Sequence, residues 1–401
     1  MRPLPRACRA VLTVLALLSF AASAVAAPPG QPIRIGGTLA LTGPLAPTAL
    51  LHKIAGEIYV DELNKGAGLL GRPVEWVLLD DQSKPDLTRS LYEKLITVDK
   101  VDLIIGPYAT GGILSAMSVA ERYQKIYVHH SFGMPHLAKY MYHFPTAAFG
   151  PEPNRTVPTT VFDALAATSK PPKTVAIVTS KFPSAQFQSS GAKEVAEKRG
   201  LKVPLYLEYE FGTRDFGAIA ARVKDANADF LWVGALGLDA NQMLEAMKKL
   251  DYVPPRHFHL FPAPGPLAVA PDGKLALSTT VFEEHPPFTA NPGAARLVPL
   301  FRERATRANV PYPYVDTQAG GSFAAWQVLE AAVTATKSLD DKVLGEWLRK
   351  NPVNTIIGRL RFDGPNNYGD DLFKVKQVQD GKWVVVWPRE FAAPGARLLP
   401  P

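Results

Sequence analysis

In Leu103-Ile104-Ile105-Gly106-Pro107-Tyr108-Ala109-Thr110-Gly111-Gly112-Ile113, branched apolar residues run into a turn of small residues. A helical apolar period then follows from Ile113 to Tyr123. The first part predicts a buried strand, and the whole predicts a strand-turn-helix unit. The same alternation extends in both directions. Upstream, strands are expected at Ile33–Leu41 and Val74–Leu79, with helices at Thr48–Asn64 (Thr48 as N-cap) and Asp86–Val98. Downstream, Ile126–His130 is a further strand. Strand-helix repetition with short connections predicts a doubly wound parallel sheet.

The pattern restarts after a proline-rich stretch, Phe144 to Pro153, which suits a crossover. Helices are expected at Asn154–Ala167 (Asn154 as cap), Ser184–Arg199, Asp215–Ala226 and Asp239–Leu250. Strands are expected at Thr174–Thr179, Val203–Tyr209, Phe230–Val233 and Phe258–Phe261. Ala294–Thr306, Phe323–Thr336 and Lys342–Arg349 are helical, and Asn354–Phe362, Leu372–Val378 and Trp383–Trp387 are strand-like. Asp380-Gly381 marks the last two strands as a hairpin. This tail has no alternating unit of its own, so it is expected to complete the two earlier sheets. The fold class is therefore α/β, with two doubly wound parallel-sheet lobes.

The 401 residues are 47% hydrophobic and 20% charged, enough apolar content for two or three cores. The formal charge is +7, with no basic block or basic-aromatic stripe, which argues against a nucleic-acid partner. Arg2, Arg6 and Arg9 precede an apolar run from Ala10 to Ala22, and Ala24-Val25-Ala26 is a small-x-small cleavage pattern. Residues 1–26 are thus expected to be a secretory signal peptide, too short in its apolar core for a spanning helix. Cleavage would remove Cys8, the one cysteine, and lower the charge by three. The product is expected to be exported to the periplasm.

Other motifs carry less. Gly66-Ala67-Gly68-Leu69-Leu70-Gly71 has dinucleotide-site spacing but closes a helix instead of opening one, so it is expected to be a C-cap and turn. His129 and His130 point to opposite faces of a strand, and His257 and His259 share a face without a third ligand. No metal, cofactor or catalytic residue is assigned. Asp80-Asp81 ends a strand and is either a carboxylate pair of an α/β enzyme or a turn cap. In an open α/β sheet, ligands bind beyond the carboxyl ends of the strands. The turn at Tyr108 to Gly111 offers free amides and a positive helix end, which suits a carboxylate. A plain N-cap turn is the competing account of the same residues. The tip at His129-His130-Ser131-Phe132-Gly133 should lie beside it.

Taken in order, several segments resemble a type I periplasmic binding protein of the leucine/isoleucine/valine-binding branch. They are Ile35-Gly36 to Leu41-Thr42-Gly43-Pro44, Asp61-Glu62-Leu63-Asn64 with Gly68-Leu69-Leu70-Gly71, Ile105-Gly106-Pro107, Phe211 to Phe216, and Asn354 to Gly358 with Phe362-Asp363. The resemblance implies two lobes joined by three crossings. One lobe would comprise residues 27–149 and 281–368, and the other 150–280 and 369–401. It also implies a solute-binding role without catalysis, with ABC transporter permease subunits at the membrane as partners. Thr110 and the backbone of Tyr108, Ala109 and Gly111 would hold a small-molecule carboxylate. Ser131, Phe132 and Gly133 would line the same lobe, and Ser184, Leu236 and Pro262 the other.

The chain departs from the amino-acid-binding pattern. The family's second hydroxyl falls at Gly133, and its tyrosines fall near Ser184 and Leu236. Its ammonium-binding acid falls within Phe261 to Gly265, which holds no Asp or Glu. A buried ammonium without a counter-charge is costly. The expected ligand is therefore an aromatic or other hydrophobic carboxylate, with Tyr108, Phe132 and Phe149 against its body. Glu283 or Glu284 would restore an amino-acid ligand if either reaches the pocket. A ligand sensor of the same fold and an exported α/β enzyme are the remaining alternatives.

Overall fold

The structure, a computed structural model, describes residues 30–400. The expected signal peptide and Cys8 lie outside the described residues. No helix among the described residues is long and apolar enough to cross a membrane.

The first sheet contains β1 (Ile33–Leu39), β2 (Val74–Asp80), β3 (Leu103–Ile105), β4 (Tyr127–His129) and β5 (His143–Pro145). Their spatial order is β2-β1-β3-β4-β5 and every pairing is parallel. The crossover helices are α1 (Ala46–Lys65), α2 (Pro85–Thr97) and α3 (Thr110–Arg122). Chain direction across the sheet reverses at β1, so the topological switch lies between β1 and β3. A crevice opens there beyond the strand ends.

The second sheet is built from β6 (Thr174–Ser180), β7 (Lys202–Tyr209), β8 (Phe230–Gly237), β9 (His257–Pro262) and β10 (Leu277–Thr280). Between them run α5 (Pro183–Lys198), α6 (Gly217–Ala226), α7 (Asp239–Lys248) and the short α8 (Pro264–Val269), and α4 (Pro153–Ala166) precedes β6. The hairpin of β13 (Lys374–Gln379) and β14 (Lys382–Trp387) adds antiparallel to β10. The full order is β14-β13-β10-β9-β8-β6-β7, and the switch lies between β6 and β8. Asp380 and Gly381 both have positive φ (51° and 73°), the conformation a tight two-residue hairpin turn requires.

The C-terminal helices α9 (Ala294–Arg307) and α10 (Thr317–Thr336) pack on α1 of the first lobe, and α11 (Asp341–Leu348) packs on α10. The chain crosses between lobes at 146–152, 281–293 and 361–373. The core is largely continuous across these crossings. Phe149 stacks on Phe373 at 4.0 Å, joining the first crossing to the third.

Several boundaries differ from expectation for local reasons. Helix α1 begins at Ala46, and Thr48 lies inside its first turn and caps nothing. Helix α4 begins at Pro153, so Asn154 is not its cap. The expected strand over 354–362 is a ribbon of β11 (Val353–Thr355) and β12 (Gly358–Leu360), turned at Gly358 with φ 119°. Strand β5, inside the proline-rich stretch, was not foreseen, because three residues carry no period. Helix α10 starts six residues earlier than expected. The Asp316 carboxylate accepts from the amides of Gln318 and Ala319 and fixes that start despite Gly320-Gly321.

The α4–α5 packing depends on Gly191. A Cβ there would lie 1.8 Å from the Asn154 carbonyl oxygen, so the helices touch backbone to backbone. Gly191→Ala is expected to cost about 3 kcal/mol by overpacking. Urea unfolding monitored by circular dichroism checks this.

Candidate functional site

The two switch points face each other across an interlobe cavity of about 770 Å³, counted to its open mouth. Tyr108, Ala109, Thr110, Ser131, Gly133, Ser184, Leu236 and Pro262 all line it. Gly111 and Phe132 do not. Phe132 is fully buried and meets the ring of His129 edge-on at 5.8 Å, so it belongs to the core and not to a ligand wall. Gly111 sits one residue inside α3, against Pro85. Phe149 lines the cavity, as the sequence suggested.

The polar end is built by the β3–α3 turn. Ala109 takes φ 71° and ψ 152°, a conformation costly for a residue with a Cβ. That backbone turn lets the Ala109 amide donate to Ser131 Oγ at 3.1 Å, tying the β3 tip to the β4 tip. The first helical bond of α3 runs from the Ile113 amide to the Ala109 carbonyl at 3.0 Å. No side chain caps this helix, which leaves its first amides as donors beside the cavity. Helix α10 also begins at the cavity, through Thr317 and Gln318, but Asp316 already supplies an anion there. The α3 end is therefore the better seat for an exogenous anion.

The apolar walls are Tyr108, Phe149, Phe182, Phe261 and Phe373. Phe149 sits between the stacked Phe373 ring and the Phe261 edge at 6.0 Å. Burial pushes the Tyr108 hydroxyl up to about 12, so it stays protonated.

No Asp or Glu lines the cavity among the described residues. Glu283 is buried and accepts from Lys376 Nζ at 2.7 Å, and burial raises its pKa to about 7 against the pull of that lysine. Glu284 accepts from the Val315 amide and pairs with Arg302. Neither restores an acid to the cavity wall. Lys376 does line it, with Ser278, Thr279, Gln318 and His130. Sequence reasoning missed Lys376, Ser278, Thr279 and Gln318, and placed His130 in the strand tip beside the turn without giving it a ligand contact. The early start of α10 exposes Gln318, and β13 joining β10 brings in Lys376, neither of which has a local signature.

The other candidates are structural. Asp80 accepts from the amides of Leu41, Thr42 and Gln82, and Asp81 from Thr38 Oγ1 and the Ser83 amide. The pair pins the tip of β1 to the turn after β2, and neither residue lines the cavity. Gly66 is the C-cap of α1, and Gly68 and Gly71 take positive φ in the turn before β2. His129 bonds His143 (2.9 Å), His130 stacks on His52 (4.2 Å), and His257 bonds His259 (2.8 Å). Adjacent His129 and His130 thus face opposite ways, as strand geometry requires.

A family model described as periplasmic binding protein matches residues 32–382. The chain is 22% identical to the leucine-, isoleucine-, valine-, threonine- and alanine-binding protein of Pseudomonas aeruginosa, over 88% of this chain and 91% of that protein. Among solved structures, a solute-binding protein of an ABC transporter from R. palustris, in complex with benzoate, superposes with a TM-score of 0.74. It is 19% identical, covering 88% of this chain and 95% of that one. The leucine-binding protein LivK of Thermotoga maritima superposes with a TM-score of 0.71 at 19% identity, covering 88% and 97%. At such identities the superpositions speak for shared architecture alone.

Proposed function

The chain belongs to the periplasmic binding protein family, and from that premise we propose that it captures a small carboxylate with an aromatic or hydrophobic body for an ABC transporter. The observation that carries the ligand class is the uncapped α3 terminus, opening on an aromatic-walled cavity that no Asp or Glu lines among the described residues. Free amides and the helix dipole favour a carboxylate at Thr110. The aromatic rings favour a flat apolar body, and the missing acid disfavours an α-ammonium group. That the same architecture holds benzoate in the R. palustris protein supports the reading.

Ligand contacts to both lobes favour the closed state, and the closed protein is what permease subunits would receive in the periplasm. This family is made of solute-binding proteins, and the role needs no catalytic residue. A branched-chain amino acid is the second reading. It is favoured by the Pseudomonas relative and by Asp316 Oδ2, which is buried without a hydrogen-bond partner.

A thermal-shift screen separates the two. At a thousandfold excess over Kd, a ligand adds about 4 kcal/mol, a rise of roughly 5–10 °C. Benzoate or phenylacetate is expected to give that rise, and leucine, valine and phenylalanine none. A rise with leucine alone would overturn the reading of a ligand without an α-ammonium group.

A further inference from the structure

At the hinge side of the cavity, β13 places Lys376 directly across from Ser278 of β10. Both residues line the cavity, with Gln318 and His130 nearby on its wall. Lys376 is 1% exposed, its ammonium donates to Glu283 Oε1 at 2.7 Å, and it lies over the Trp383 ring at 4.7 Å. An ammonium has three N–H donors, and Glu283 takes one. Asp316 supplies a second carboxylate to this cluster. Its Oδ1 accepts two backbone amides, and its Oδ2 is buried with no partner. The Nδ1 atom of His130 is likewise buried without a partner. The structure thus has a second polar patch, separate from the α3 terminus and richer in hydrogen-bonding groups than an apolar ligand body would use.

We propose that this patch is a second subsite, in which Lys376 donates to a hydroxyl carried on the aromatic body of the ligand. The proposal rests on the carboxylate reading above and narrows it to hydroxylated aromatic carboxylates. A hydroxyl both donates and accepts, so it satisfies an ammonium and a carboxylate or imidazole acceptor together. A methyl group would leave those groups desolvated and unpaired, which carries the larger penalty. A second ligand carboxylate fits worse. Lys376 already faces Glu283 and Asp316, and a third negative charge would be buried without a partner.

The test is calorimetric titration of the full mature protein with benzoate, 3- and 4-hydroxybenzoate, their methyl isosteres, and terephthalate. At least one hydroxybenzoate is expected to bind about tenfold tighter than benzoate and than its own methyl isostere, with terephthalate no tighter than benzoate. The double variant Lys376→Met, Glu283→Gln removes both members of the buried ion pair together, and Asp316 keeps the two backbone amides that bond its Oδ1. It is expected to shrink the hydroxyl preference to about twofold, read as the ratio of hydroxyl to methyl affinities within the variant. If the variant does not fold, the hydroxyl-against-methyl comparison in the wild-type protein decides. A methyl isostere that binds as tightly as the hydroxyl compound, or a preference that survives the double variant, overturns the subsite and leaves the carboxylate reading intact. Failure of benzoate and every analogue to bind overturns both.

Discussion

Gly133→Trp is expected to weaken ligand binding by about a hundredfold or more while leaving the melting temperature of the unliganded protein within about 2 °C. Gly133 belongs to the tip after β4 in the first lobe, yet its nearest neighbours are in the second. A Cβ there would lie 3.1 Å from Gln188 Nε2, 3.2 Å from Ser184 Cβ and 3.7 Å from the Phe261 ring. Beside it, His136 meets Phe187 at a ring distance of 4.6 Å. The lobes therefore touch across the cleft at a point with room for hydrogen only. An indole inserted there holds them apart. The ligand then keeps contacts to one lobe and loses those to the other, which exist only on closure. Titration calorimetry measures the affinity, and small-angle scattering tests whether ligand still compacts the molecule. Wild-type affinity in the tryptophan variant would show that this contact is not made on closure.

Acidification from pH 7 to pH 5 is expected to lower the melting temperature by several degrees, about 5 °C. Six of the buried groups are histidines, arranged in three pairs. Burial holds His130, His143 and His257 down to about 4, and lowers His52, His129 and His259 well below the ordinary value. Each folded-state value lies below the unfolded value of about 6.5. The unfolded chain therefore binds more protons, and stability present above about pH 6.5 is lost as pH falls towards 4. A histidine shifted this far contributes a loss of roughly 2 kcal/mol at pH 5.

Seven carboxyl groups act in the opposite sense, because burial holds Asp81, Asp239, Glu284, Asp316 and Asp341 above the ordinary value along with Glu283 and Asp371. Burial raises Glu283 to about 7 and Asp371 to about 6, so each gains stability as pH falls through those values. Between pH 7 and pH 5 these two larger shifts and the five smaller ones offset the six histidines only in part. Circular dichroism melts across the range check the sign, and replacing both His257 and His259 with leucine is expected to flatten the profile. A melting temperature that stays level or rises on acidification contradicts the histidine account.

The sequence made the layers of both lobes legible because each crossover unit carries its own signal. Short branched apolar runs bounded by turn residues, such as Leu103–Ile105 before Gly106-Pro107, read as buried strands, and the helix after them shows a 3.6-residue period. The half of the site built from those units was legible for the same reason. Tyr108, Thr110 and Ser131 sit at strand tips, and a doubly wound sheet gathers strand tips at its switch point. What could not be seen depends on contacts between distant segments. Lys376 reaches the cavity through the antiparallel pairing of β13 with β10, some hundred residues apart in the chain. Gln318 does so through the Asp316 cap, which overrides two glycines that argue against helix. Phe132 misled because its neighbours are cavity residues, and only its packing against His129 in the core sets it apart.

The most direct test of the ligand site is a crystal structure of the protein with benzoate bound. The account predicts the carboxylate at the amino end of α3, within hydrogen-bonding distance of the Thr110 backbone and hydroxyl, with the ring between Tyr108 and Phe149. A carboxylate seated instead on Lys376, with the α3 terminus left to water, would contradict it.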